Sequence, residues 1–286
     1  MELGQLGVWS IDIRRTEVDG VAAAAAQLEG YGYGTIWFPA GSGDRGFDVA
    51  RALLDASDAI TVATGITSIW ATPPDDSNRA FASLEQQAPG RFLLGVGASH
   101  GPMVDHNHPG RYQRPLTKTA AYLDALTVPR ERRIVAALGP KMLELAREQS
   151  IGTHPYLVTR GITARTRAAL GTGPVVAVEQ AVVVETDPVT ARAVAREHLR
   201  GYLELPNYVN NWRRSGYTDA DVSGAGSDRL VDDLVAWGDP AAIGERIRAH
   251  YDAGADHVCV QVLGGDRPVP LDQWRAIASE VLAGRS

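Results

Sequence analysis

Gly139-Pro140-Lys141-Met142 has the makings of an anion cradle. Proline suits a first helical position, because the N–H it lacks would go unsatisfied there anyway. The next backbone N–H groups of such a helix have no internal partner, and with the helix dipole they suit a phosphate. Lys141 adds a charge; Lys118 is the only other lysine among 28 basic residues. The plainer reading is that Gly-Pro simply starts a helix. Gly95-Val96-Gly97-Ala98-Ser99-His100 is the second group. Two glycines let a backbone approach a flat ligand, although the third glycine and the acidic residue of a dinucleotide fingerprint are missing. Glycines that merely turn the chain explain the pattern about as well. His100, Asp105, His106 and His108 fall within nine residues. His100 is a candidate proton carrier near neutral pH. Zinc or iron is another use for imidazole beside carboxylate, but this spacing matches no metal motif. No metal is therefore expected, and Asn107, Pro109 and Gly110 read as an exposed loop.

Trp9, Trp37 and Trp70 are able to stack on a flat ring or to pack in a core, and for any one of them packing is the simpler use. Ser68 has the same two readings. The run 207–214, Asn-Tyr-Val-Asn-Asn-Trp-Arg-Arg, suits a lid, a subunit contact or a solvated helix face.

These groups are carried on an alternation of apolar runs and helical segments. Strands are expected at residues 6–10, 35–38, 60–70, 92–96, 134–138, 155–158, 175–184 and 257–263, with helices between them. The stretch 205–237 reads as a helical insertion. The strands are near-continuous apolar runs, as in a parallel sheet covered on both faces. Eight such units in 286 residues fit an α/β fold of the closed (β/α)8 TIM barrel type, in one domain covering 1–286. An open doubly wound sheet is the alternative. A barrel gathers its chemistry at the C-terminal ends of its strands. Those ends hold Trp9, Ser10, Pro39, Ala40, Ser68, Ile69, Trp70, Gly97, Ala98, Ser99, His100, Gly139, Pro140, Lys141, His154, Pro155 and Gln180. The rim is aromatic and polar, without the clustered carboxylates of a sugar hydrolase or a magnesium site.

Composition narrows the class. With 44% hydrophobic and 22% charged residues, the chain is neither disordered nor fibrous. A net charge of −6 argues against a general nucleic-acid binder, while leaving room for a local basic pocket. No apolar run approaches the roughly 20 residues of a membrane helix. Residues 1–10 lack the pattern of a secretory signal. Cys259 is the single cysteine, so no internal disulfide forms, and a cytoplasmic protein is expected.

Taken together, the residues resemble the luciferase-like monooxygenase superfamily. More closely, they resemble its actinobacterial branch of deazaflavin (coenzyme F420)-dependent oxidoreductases. The stretches that carry this include Val62-Ala63-Thr64-Gly65-Ile66, 89–97 (Pro-Gly-Arg-Phe-Leu-Leu-Gly-Val-Gly) and 136–143 (Ala-Ala-Leu-Gly-Pro-Lys-Met-Leu). Others are His154-Pro155-Tyr156-Leu157-Val158-Thr159, Leu205-Pro206-Asn207-Tyr208, Ser227-Asp228-Arg229-Leu230-Val231 and 252–258. The resemblance implies a (β/α)8 barrel with an insertion, working as a homodimer. It implies a non-proline cis peptide at Ser68-Ile69 behind the deazaflavin ring, with Trp70 following. It sets Gly97, Ala98 and Ser99 beside the ring and His100 where relatives place a glutamate proton donor. It assigns the coenzyme's phosphate to Gly139, Pro140, Lys141 and Met142. Pro39 and Ala40 match a strand end where relatives often carry an acid or a histidine; Ala40 departs from that and shifts weight to His100. The link 127–133 is shorter than the Pro-rich segment of relatives. The implied activity is hydride transfer between F420 and a small organic substrate, the coenzyme doing the hard chemistry. An FMN-dependent monooxygenase, a non-catalytic coenzyme-binding barrel and a metal hydrolase are the alternatives.

Overall fold

The computed structural model describes residues 2–15, 18–41, 45–107, 109–264 and 269–283. Its strands and helices alternate. The first half runs β1 (Leu6–Trp9), α1 (Val18–Gly30), β2 (Thr35–Phe38), α2 (Arg45–Asp55), β3 (Thr61–Thr64), β4 (Thr67–Ser68), α3 (Pro74–Gln87), β5 (Phe92–Gly97), α4 (Gly101–Asn107) and α5 (Pro115–Asp124). Next come β6 (Arg133–Val135), α6 (Pro140–Gln149), β7 (Gly152–Thr153), α7 (Arg160–Leu170), β8 (Val175–Val184) and α8 (Pro188–Leu199). The last part is α9 (Pro206–Arg213), α10 (Asp219–Val222), α11 (Asp228–Leu234), β9 (Val235–Gly238), α12 (Pro240–Asp252), β10 (His257–Val262) and α13 (Leu271–Leu282). Among the described residues, no helix is long and apolar enough to cross a membrane.

All pairings between these strands are parallel, and the sheet closes on itself. β1 pairs β2, β2 pairs β3, and β3 pairs β5. The circuit continues through β6, β7 and β8 to β10, which returns to β1. The result is the expected closed barrel of eight parallel strands with helices outside it. Two apolar layers follow from the strand alternation. Trp37, Ala63, Leu93, Ile134, Ala177 and Cys259 fill the inside. A larger cluster, including Ile36, Val62, Phe92, Val178 and Val260, packs the strands against the helices.

Several local expectations fail for identifiable reasons. The run 155–158 is not a strand: the sixth strand is Gly152–Thr153, and Leu157 takes a left-handed backbone (φ 52°) that ends strand geometry. The insertion holds a strand as well as helices. Ala181 and Val182 of β8 pair β9 on one edge and β10 on the other, so β9 occupies the edge that β7 is too short to reach. The stretch 60–70 divides. β3 ends at Thr64, and β4 resumes after Gly65 and Ile66 to pair β5, with Ser68 opposite Gly97. That break turns the strand end without a cis bond: the Ser68-Ile69 peptide is trans, as are all described peptide bonds. The histidine segment is the helix α4, capped by the His100 carbonyl accepting from Val104 N–H at 3.0 Å. His108 lies outside the described residues.

Candidate functional site

One arc of the rim, from β2 to β6, brings together most of the residues singled out by sequence. The Ala40 N–H donates to the Ile66 carbonyl at 3.1 Å, holding the end of β2 to the break after β3. The Trp70 indole N–H donates to the Ala98 carbonyl at 2.6 Å, and its ring lies 5.3 Å from that of Tyr112. Ser68, Ile69, Trp70, Gly97 and Ala98 are thereby fastened into one wall, next to Pro39. Gly95 and Gly97 are used up by protein packing rather than by an open approach. A Cβ at Gly95 would overlap the Thr64 carbonyl, and one at Gly97 would come within 2.7 Å of Ile66. Thr64 Oγ1 also bridges Gly95, accepting from its N–H at 2.8 Å and donating to its carbonyl at 2.9 Å. Ser99 has a left-handed backbone (φ 55°), an uncommon state that costs of order 1 kcal/mol and turns the chain into His100.

The arc ends at α6. Gly139 caps this helix with no side-chain hydrogen bond, Pro140 follows, and Lys141 is exposed. Nothing lies within 4 Å of the place a Gly139 side chain would occupy. By contrast Asp187 and Asp239 cap α8 and α12, each accepting from a backbone N–H at 2.9 Å. The Met142 and Leu143 N–H groups donate to the Gly139 carbonyl at 3.1 and 2.9 Å. The start of α6 therefore offers the Lys141 N–H and side chain to a ligand, a make-up that fits a phosphate-bearing coenzyme.

The opposite arc, from β7 to β10, carries groups the sequence reasoning did not select. Tyr156, directly after the named His154-Pro155 pair, stands at the centre. Its ring lies 5.1 Å from Trp9, 5.5 Å from Tyr202 and 6.4 Å from Tyr208. Its hydroxyl donates to Gln261 Oε1 at 2.7 Å. With that proton spent, it accepts from the Tyr202 hydroxyl at 3.4 Å and from His198 Nε2 at 3.2 Å. Burial lowers the His198 pKa to about 4, so this ring is neutral. Burial also pushes the Tyr156 and Tyr208 hydroxyls well above their usual range. The insertion supplies the roof: α9 buries Tyr208, Asn211 and Trp212, and the Trp212 indole donates to the Leu157 carbonyl at 3.1 Å. The run 207–214 is thus neither a purely solvated face nor a loose lid.

Glu179 lies beneath this cluster, 1% exposed. One carboxyl oxygen accepts from Leu157 N–H at 3.1 Å; the other is buried with no hydrogen-bond partner among the described residues. Burial raises its pKa to about 8, partly offset by the Leu157 bond, so it holds a proton at neutral pH. Period-two alternation on β8 means that Gln180, the residue named from sequence, faces away. It accepts from His250 Nε2 at 2.8 Å and donates to the Leu234 carbonyl at 3.0 Å, outside the barrel. Its neighbour Glu179 is the residue that faces inside.

His100 joins the two arcs. It packs against Tyr208 at 5.3 Å and edge-on to Tyr202 at 6.4 Å. Asn207 Nδ2 donates to its Nδ1 at 3.4 Å. Burial lowers its pKa and the Asn207 bond partly restores it. Asp105 is spent on the Tyr112 N–H at 2.9 Å and His106 is exposed, so neither joins His100. His154 and Trp37 are interior packing: their rings stack at 4.2 Å, and Trp37 donates to His257 Nε2 at 3.0 Å.

Comparison with known proteins agrees with this architecture. Residues 9–128 match the model of the luciferase-like monooxygenase family, so the resemblance read from the sequence holds from the end of β1 through α5. A coenzyme F420-dependent oxidoreductase of Mycobacterium tuberculosis, itself a provisional assignment, is 26% identical over 166 residues. That match covers 54% of this chain and 47% of the relative, so the chain spans about half the length of the curated relative it matches. An F420-dependent secondary alcohol dehydrogenase in complex with an F420-acetone adduct superposes with a TM-score of 0.71 at 15% identity, covering 98% and 99% of the two chains. The oxygenating constituent of 3,6-diketocamphane monooxygenase from Pseudomonas putida, in complex with FMN, gives 0.68 at 18% identity, with 98% of each chain covered. These two likenesses establish the fold.

Proposed function

We propose that this chain is an F420-dependent oxidoreductase, a single barrel domain acting in the cytoplasm as a homodimer on a small organic substrate. The observation that carries the reading is the open, uncapped start of α6 at Gly139-Pro140-Lys141, on the same rim as His100. The partial match to an F420-dependent relative supports it. Gly139, Pro140, Lys141 and Met142 would hold the coenzyme's phosphate. Pro39, Ala40, Ser68, Ile69, Trp70, Gly97, Ala98 and Ser99 would line the ring. The coenzyme, when bound, supplies hydride exchange. The residues of the chain do the rest. The Tyr156-Tyr202-Tyr208 cluster keeps water from one side of the rim. His100, with its pKa held down by burial, is neutral at pH 7 and takes a proton from a substrate hydroxyl. Glu179 stays protonated below and adds no negative charge to the site.

The test presents the purified chain with oxidised deazaflavin and alcohols, with reduced deazaflavin and carbonyls, and with reduced FMN, oxygen and the same panel. The proposal expects substrate-dependent deazaflavin turnover without oxygen uptake. Oxygenated product formed from a substrate with reduced FMN and oxygen, without deazaflavin turnover, would replace it by the monooxygenase reading.

A further inference from the structure

Across the rim from α6, two loops meet around a recess of about 370 Å³ lined by Arg14, Arg15, Ala40 and Arg45. The loop after β1 is shaped by Ser10, whose hydroxyl oxygen accepts from the Asp12 and Ile13 N–H groups at 3.2 and 3.3 Å. It presents Arg14 and Arg15. The segment after β2 presents Ala40 and Gly41, and Arg45 is the first residue of α2. Arg45 Nε donates to the Arg14 carbonyl at 3.4 Å, tying the two together. Glycine makes the fit possible. At Gly41 (φ +74°) a Cβ would overlap the Arg14 guanidinium, so that side chain lies where another residue's would be. Ala40 adds only a methyl group to the wall of the recess.

Three cations face this one recess. Among the described residues, the ion pair they make joins Arg15 to Asp12 at 3.6 Å, and it is exposed. Among the described residues, no carboxylate lies within ion-pairing distance of Arg14 or Arg45. We propose that the recess is an anion subsite for a carboxylate or phosphate group on the substrate. Guanidinium forks match the planar oxygens of either group. Burial and the repulsion of Arg15 and Arg45 both lower the Arg14 pKa, a penalty that a bound anion removes. Strand order separates this subsite from the α6 corner. β3 and β5 stand between β2 and β6 along one side of the barrel, and β10, β8 and β7 stand between β1 and β6 along the other. A coenzyme anchored at α6, with its ring against the wall that ends at Ala40, leaves the arginine side of the recess to the other reactant. The role toward substrate rests on the oxidoreductase reading; the affinity for an anion does not.

The test is calorimetric titration of inorganic phosphate, and separately of succinate, into the full chain carrying Lys141→Ala, which removes the α6 charge. Saturable binding is expected, weakened at least tenfold by adding Arg14→Gln and Arg45→Gln, and partly kept by Arg14→Lys with Arg45→Lys. Circular dichroism checks that each variant is folded. No saturable binding of either anion, or binding that the glutamine pair leaves unchanged, overturns the subsite. In parallel, Arg14→Gln with Arg45→Gln in the otherwise unaltered chain should change the deazaflavin dissociation constant less than twofold. A tenfold loss there would assign the recess to the coenzyme and overturn the substrate role. Anion binding that persists in an unaltered chain unable to bind deazaflavin contradicts the oxidoreductase reading and leaves the anion site standing.

Discussion

The two arcs of the rim are built from opposite materials. From β2 to β6 the surface is largely backbone: strand ends sewn together by main-chain bonds, a left-handed Ser99, and the open start of α6 beside an exposed Lys141. From β7 to β10 it is side chains: half-buried Tyr156 and His198 and buried Glu179, Tyr208 and Gln261, roofed by buried Trp212. A rigid backbone wall that ends in the start of α6 and Lys141 is suited to gripping a charged ligand. An arc of buried rings is suited to keeping water out and a proton in place. The contrast assigns binding to the first and a dry wall to the second, with His100 at the seam.

Breaking the roof tests that division most strongly. Trp212→Ala deletes a fully buried indole and should cost about 3–5 kcal/mol of stability. For a chain of this size that lowers Tm by roughly 10 °C, since each kcal/mol is worth about 2–4 °C. A drop of only about 1 °C in thermal denaturation would mean that the aromatic arc is loosely packed. The seam comes next. His100→Ala should reduce turnover about 100-fold, the scale of lost proton transfer, while coenzyme affinity stays near that of the parent chain. The acid limb of the wild-type rate profile, centred below the ordinary histidine value of about 6.5, should vanish with it. Unchanged turnover would remove His100 from the chemistry.

Much of the first arc was legible because strand ends and helix starts follow local rules. A glycine-proline corner after an apolar run is visible in one chain without any partner. The second arc was not, because it is made by residues far apart in sequence. Tyr156, Glu179, Tyr202, Tyr208 and Gln261 meet only once the barrel has closed and the insertion has folded back. Alternation hid Glu179 behind Gln180, and a two-residue strand at Gly152–Thr153 is too short to announce itself. Val235–Gly238 is short and ends a polar insertion, which masks it as a strand. Gly95 suits a ligand contact and packing equally well in sequence, and the Thr64 carbonyl against it decides for packing.

A smaller effect sharpens the electrostatic side of the contrast. Glu179 holds its proton up to about pH 8 when folded, whereas an unfolded glutamate releases it near 4.5. Between those values the unfolded chain binds fewer protons, so this residue makes stability fall as pH rises. Glu179→Gln should therefore raise Tm over wild type by several degrees at pH 8 and by little at pH 5. The reverse order would show that Glu179 is ionised. His154, His198 and His257 have pKa values lowered by burial to about 4, so they act with the opposite sign. Their contribution is complete above about 6.5 and is lost as pH falls toward 4.

The start of α6 is where the account is most exposed, and a fluorescence titration of the deazaflavin into the parent chain and into Lys141→Ala addresses it directly. Saturable quenching is expected in both, with the dissociation constant about tenfold weaker in the variant, equivalent to about 1.4 kcal/mol, as for loss of one charge-assisted hydrogen bond. Equal dissociation constants in the two proteins, or no saturable quenching in the parent, would contradict it.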